Sequence, residues 1–143
     1  MANYFYEDEA RNKIREELLT TKAKSWAKSF CSPKNYPEKS KRNPPLTSAQ
    51  LRRFHFEVKH FEEILRNKEK PDEEFGKLRP MIKMIKSKAA YACRTPSKDR
   101  KVPEEFQKYL DEMIDNITDY KDFNAFALCF EAVVGYFYGE GGK

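Results

Sequence analysis

Histidine is nearly missing from this sequence: His55 and His60 are the whole supply among 143 residues. They stand five apart, so they do not share a helix face as an i, i+4 pair does. No HExxH arrangement and no obvious general base can be built from them. Glycine is scarce too, five in all, with three in the closing residues. No GxxxxGK[ST] or GxGxxG loop exists to cradle a phosphate chain. The three cysteines, Cys31, Cys93 and Cys129, are far apart and lack metal-ligand or redox spacing. They read as reduced thiols of a cytoplasmic protein, with Cys93 and Cys129 expected in the core. No apolar run approaches the ~18 residues of a membrane span, so no membrane partner is expected. The opening "MANYFYEDEARNK" is acidic and has no basic-then-apolar leader. The acidic pairs Glu62-Glu63 and Glu73-Glu74 sit on polar helix faces, where solvation accounts for them. Nothing here argues for catalysis, and neither a metal nor another cofactor is expected.

Aromatic residues, by contrast, are plentiful: eleven Phe, eight Tyr and one Trp. A disordered chain would lack them, so one packed domain is expected at this length. The net charge of +5 hides an asymmetry. Residues 1–100 carry 24 Lys/Arg and 14 Asp/Glu, whereas residues 101–143 carry 4 and 9. Such a polarised surface attracts a polyanion or docks copies of the chain on one another, unless it is only unevenly solvated.

Long Val/Ile/Thr alternation is absent, and the apolar spacing is helical throughout. The first helix is predicted from about Glu7 to Phe30, with Leu19, Ala23, Trp26 and Phe30 on one stripe. Its amphipathicity is uneven, which suggests loose packing. "CSPKNYPEKSKRNPP" then holds Pro33, Pro37, Pro44 and Pro45 with Lys34, Lys39, Lys41 and Arg42, and reads as a basic linker. The second helix opens at "LTSAQLRRFHFEVKHFEEILR", with Thr47 or Ser48 as N-cap and a seam of Leu51, Phe54, Val58, Phe61 and Leu65. The third spans about Asp72 to Arg94 and buries Leu78, Ile82, Ile85, Ala89 and Ala92; Pro80 predicts a kink or a second start. The basic loop "RTPSKDRKVP" follows it. The fourth starts at Pro103 with Phe106, Leu110, Met113, Ile114 and Ile117 buried. The fifth runs from about Asp122 to Tyr138 on Phe123, Phe126, Ala127, Phe130, Val133, Val134 and Phe137. The expected fold is all-α: a compact antiparallel bundle of about five helices. Its divisions are an N-terminal helix in 1–30, a Pro/Lys-rich linker in 31–46 and a bundle domain in 47–143.

A nucleic-acid backbone is held by cations in a row. On the second helix, Arg52, Lys59 and Arg66 are spaced by sevens; Lys59 and Arg66 have acidic neighbours at four-residue spacing, while Arg52 has none. Arg53 points further round, near His60. On the third helix, Arg79, Lys83 and Lys86 form a row without an acid of its own, followed by Arg94. A solvated Lys-rich face is the plain alternative. Tyr91 leaves the apolar stripe and either stacks on a base or edges the core. Phe56 also points away from its seam, which suggests a partner surface, such as another copy.

Three stretches together, "LTSAQLRRFHFEVKHFE", "LRPMIKMIKSKAAYACR" and "FALCFEAVVGYFYGEGGK", resemble the small subunit of the type III-A (Csm) CRISPR interference complex over most of 46–143. The residues that carry this are Thr47, Gln50, Leu51 and Arg52; Lys88, Ala90, Tyr91, Ala92 and Arg94; and Phe130 to Val134. Gly135 and Phe137 depart from the family, which more often has Ala and His there. The resemblance implies a non-catalytic helical subunit, several copies of which stack beside the backbone subunits and line the groove holding guide RNA paired with target RNA. By position, Arg52, Lys88 and Arg94 are the matched cations, with Gln50 and Tyr91 beside them. Expected partners are therefore guide and target RNA, the other subunits of the complex and further copies of the chain. The rival readings are a helix-turn-helix DNA-binding regulator, for which "NKEKPDEEFG" reads as too long a turn, and a helical protein–protein adaptor.

Overall fold

Capping side chains and prolines set most of the element ends in this chain, whose computed structural model describes residues 3–33, 43–94 and 97–143. The helices are α1 (Glu16–Leu19), α2 (Thr21–Cys31), α3 (Ser48–Arg66), α4 (Pro71–Ala92), α5 (Glu104–Asp115) and α6 (Tyr120–Gly139), with one 3₁₀ turn at Ser97–Asp99. Among the described residues there is no strand, only an isolated antiparallel bridge between Tyr6 and Ile14. Among the described residues the fold is the expected all-α bundle of five substantial helices, α2 to α6. Apolar α6 is the central member, packed against α1, α2, α3 and α4.

The first expected helix differs most. It starts at Glu16 rather than near Glu7. Asp8 is the physical reason: its carboxylate accepts from the backbone N–H of Asn12 (3.1 Å) and Lys13 (3.0 Å). A short polar side chain that offers the backbone such bonds competes with helix. Arg11 takes a left-handed φ of 57° in the same turn, and Glu7 N donates to Lys13 O at 3.0 Å. The result is a strap over 5–15. Nor is the packing behind it loose. Leu18, Ala23, Ala27 and Phe30 are fully buried, while Leu19 and Trp26 of the predicted stripe are only partly so. The two alanines let α2 lie close on α6. Most of the basic Pro-rich stretch, including Lys34, Pro37, Lys39, Lys41 and Arg42, lies outside the described residues.

The α3 seam is as predicted: Leu51, Phe54, Val58, Phe61 and Leu65 are all buried. Thr47 Oγ1 caps the helix by accepting from Gln50 N at 3.3 Å. In α4, Pro80 produces no second start; the helix runs unbroken from Pro71 to Ala92. An interior proline costs roughly 3 kcal/mol. Phe75 before it and Ile82 and Ile85 after it are buried, at roughly 1.5–3 kcal/mol each, which outweighs that cost. The carbonyl facing the proline ring belongs to Gly76, which has no Cβ to resist a local opening. Pro103 offers α5 no side-chain cap. Asn43 supplies one from a distant part of the chain: its Oδ1 accepts from Glu104 N and its Nδ2 donates to Glu105, both at 2.8 Å.

The aromatic surplus sits where these helices meet. Phe30 meets Phe106 and Tyr109 edge-on, at 5.3 and 5.5 Å. Phe54 meets Phe106 at 5.2 Å, and Phe126 meets Phe130 at 5.9 Å. Edge-to-face pairs of this kind add to simple burial. Cys93 and Cys129 are buried as expected, and burial pushes the Cys129 thiol up to about 12.

Candidate nucleic-acid interface

The first turns of α3 and the last turns of α4 lie side by side and leave a groove between them. Its volume is about 680 Å³, and its lining includes Gln50 and Arg53 from α3, Lys88 and Tyr91 from α4, and Arg94 just past the end of α4. Lys101 completes it from the following loop, its backbone N–H donating to Ala92 O at 2.6 Å. Buried Phe54 and Ala92 form the apolar floor. Four cations thus converge on one groove whose only acid among the described residues is Glu57, and Lys88 is ion-paired to it.

Arg53 and Lys101 are exposed. Tyr91 keeps 68% of its surface bare. The Arg94 guanidinium lies over one face of that ring, 4.2 Å from the centroid, and Nη1 donates to Tyr91 O at 2.9 Å. Buried Arg100 holds the turn after α4: its Nε donates to Cys93 O at 3.1 Å and its Nη1 pairs with Glu104 at 3.3 Å.

Round the other side of α3, Arg52, Arg53, Phe56 and His60 line a shallow concavity. Phe56 is 75% exposed. Arg52 donates from Nη2 to Ser48 Oγ at 3.4 Å. Arg53 and Glu57 border both hollows, so the two form one continuous surface around α3. His55 is half-buried and stacks on Phe130, with centroids 5.5 Å apart and planes 10° from parallel. Burial and the nearby Lys59 charge lower its pKa, against a smaller upward pull from Glu131.

Of the remaining predicted cations, Lys83 and Lys86 face α5 instead. Lys83 Nζ donates to the carbonyls of Ile114 and Ile117, the latter at 3.0 Å. Ile114 lies in the last turn of α5 and Ile117 just past its end, where carbonyls lack helical partners and a cation is favoured. Burial lowers the Lys83 pKa, helped by the Arg79 charge and opposed by Asp115. Lys86 is ion-paired to Asp115, whose hydrogen bond raises the lysine pKa. The row thus has an acid opposite it that lies on another helix. Arg79 is exposed, with no ion pair among the described residues.

Structure therefore separates the predicted residues into three places. Gln50, Arg53, Lys88, Tyr91 and Arg94 come together in the groove. Arg52 and Phe56 lie on the outer face of α3. Lys83 and Lys86 stand on the α5 side, with the exposed Arg79 charge acting on Lys83. Arg94 belongs with Lys88, not with the lysine row. Sequence reasoning missed Lys101 and Asn43. The basic loop "RTPSKDRKVP" was the signal for Lys101; Asn43 had none.

A family model described as Csm2 Type III-A matches residues 13–143. The chain belongs to the Csm2 type III-A family. It is a small subunit of type III-A CRISPR machinery, and the other subunits of that complex are its partners. The match takes in α1 and α2, so the Csm2 likeness extends well before the 46–143 region carried by the three sequence stretches. Comparison with curated proteins and with solved structures gave no match. Among the described residues, no helix is long and apolar enough to cross a membrane.

Proposed function

We propose that this Csm2-family chain is a non-catalytic subunit that holds guide–target RNA by its backbone and stacks in several copies along the effector. The observation that carries this reading is the α3–α4 groove, where Arg53, Arg94 and Lys101 converge beside the Lys88–Glu57 ion pair. Cations fixed on α3, on α4 and in the turn that follows it can neutralise neighbouring phosphates without reading a base. Guide pairing supplies sequence specificity, so the protein need not. Arg52 extends the same surface, whereas Lys83 and Lys86 serve the fold. Phe56 on the outer face of α3 is the contact for a neighbouring copy, and the acidic final third faces the basic part of the next subunit.

A salt titration of binding tests this reading, with single-stranded RNA, an RNA duplex and DNA duplexes of varied sequence as probes. Affinity for RNA falling steeply with salt, without preference among DNA sequences, is the expected result. One observation favours the rival helix-turn-helix reading. The α3–α4 connection is only 67–70, because "PDEEFG" forms the first turns of α4. The turn is therefore short enough for that motif, and its predicted excess length is corrected. Tight binding to one duplex DNA sequence at physiological salt would establish the rival. Catalysis is tested by incubating the purified chain with labelled RNA; cleavage would overturn the non-catalytic part.

A further inference from the structure

We infer that the α3–α4 groove receives an unpaired RNA base, stacked on Tyr91, and not only the sugar-phosphate backbone. This deepens the RNA-binding reading and rests on it. Backbone contacts need cations alone, yet the groove also presents a largely exposed aromatic ring. Tyr91 lies with one face under the Arg94 guanidinium and 68% of its surface bare. A ring covered on one face and still two-thirds exposed has its other face open. The stacked guanidinium adds positive charge to the ring's edge of the groove, where a phosphate next to the stacked base can meet it.

The surroundings suit a nucleotide. The volume of about 680 Å³ lies within the ~300–1,000 Å³ range of small-ligand sites. The floor of Phe54 and Ala92 is apolar. Gln50 brings an amide donor and acceptor from α3, and Arg53, Lys88 and Lys101 surround the mouth. A base within a duplex is already stacked on both faces and cannot use the ring. The partner is therefore a single strand, or a nucleotide that has left its pair, and not an intact A-form helix.

The test uses the full chain and two probes: oligouridylate, and a strand of equal length with the same ribose-phosphate backbone but no bases. Wild type is expected to prefer the base-bearing strand. Tyr91→Leu should weaken oligouridylate binding about tenfold and leave the abasic strand unchanged, while Tyr91→Phe keeps the wild-type preference. Equal affinity for both strands, with Tyr91→Leu matching wild type, overturns the base-stacking inference and leaves backbone binding intact. Preference for an RNA duplex over the single strand overturns it as well. No salt-dependent binding of either strand removes the RNA reading itself, and the inference with it.

Discussion

The strap corner and the α3–α4 groove use similar side chains to opposite ends. At the strap corner, polar groups are saturated from within. Asp122, 1% exposed, accepts from Asn3 Nδ2 at 2.6 Å, Thr118 N at 3.1 Å and Thr118 Oγ1 at 2.6 Å. Arg11 pairs with Asp119 at 2.6 Å, and Tyr6 Oη donates to Lys121 O at 2.6 Å. In the groove, Arg53, Lys101 and most of Tyr91 face solvent. A cation held by carbonyls or carboxylates of a neighbouring element, as Lys83 and Lys86 are, holds the fold. One that is fixed in place but left facing water is available to a ligand. Lys83 and Lys86 show that a basic row on one helix cannot be assigned until its opposite neighbour is known.

The comparison breaks most readily at Asp122. Asp122→Ala takes a buried acceptor away from Asn3, Arg11 and Thr118, and should cost about 3 kcal/mol by chemical denaturation. A midpoint equal to wild type would mean that the strap corner is not a structural clamp. Lys83→Met comes next. It removes the donor to two carbonyls at the end of α5 and should cost about 1–2 kcal/mol, with RNA affinity unchanged in a gel-shift titration. Lost affinity at unaltered stability would move Lys83 into the interface.

Groove residues should behave in the reverse manner. Arg53→Ala and Arg94→Ala should leave the melting curve in place and lower the salt-dependence slope of RNA binding, each by about one phosphate's worth. A changed melt with an unchanged slope would class them with the strap.

His55 gives the smallest effect. Its folded-state pKa lies below the ordinary 6.5, chiefly because of burial. Between the folded and unfolded values the unfolded chain binds more protons, so stability is full above 6.5 and declines as pH falls through that window. Thermal melts of wild type and His55→Gln across the window should converge on acidification. Parallel curves would show that His55 does not feel its burial.

Much of the bundle was legible because one-dimensional spacing determines which helix face is buried. The α3 seam and the α6 face needed nothing more. Asp8 shows where spacing stops helping, since a side chain bonding to backbone four and five residues on defeats a helical pattern. Pro80 shows that a local penalty yields to burial on both sides of it. The groove was half legible. Gln50, Lys88, Tyr91 and Arg94 were carried by resemblance and Arg53 by charge, but only packing could join α3 to the end of α4. The acid opposite Lys86 was invisible in the same way, because Asp115 stands on another helix.

Arg100 has a consequence for timing. With its side chain tied to Cys93 O and Glu104, the end of α4 is anchored before any strand arrives. A surface held in this way does not wait for a rearrangement, so capture is governed by encounter. Attraction between a cationic groove and a polyanion accelerates encounter most at low ionic strength. Added salt should therefore slow the association step itself, and stopped-flow traces should remain single-exponential.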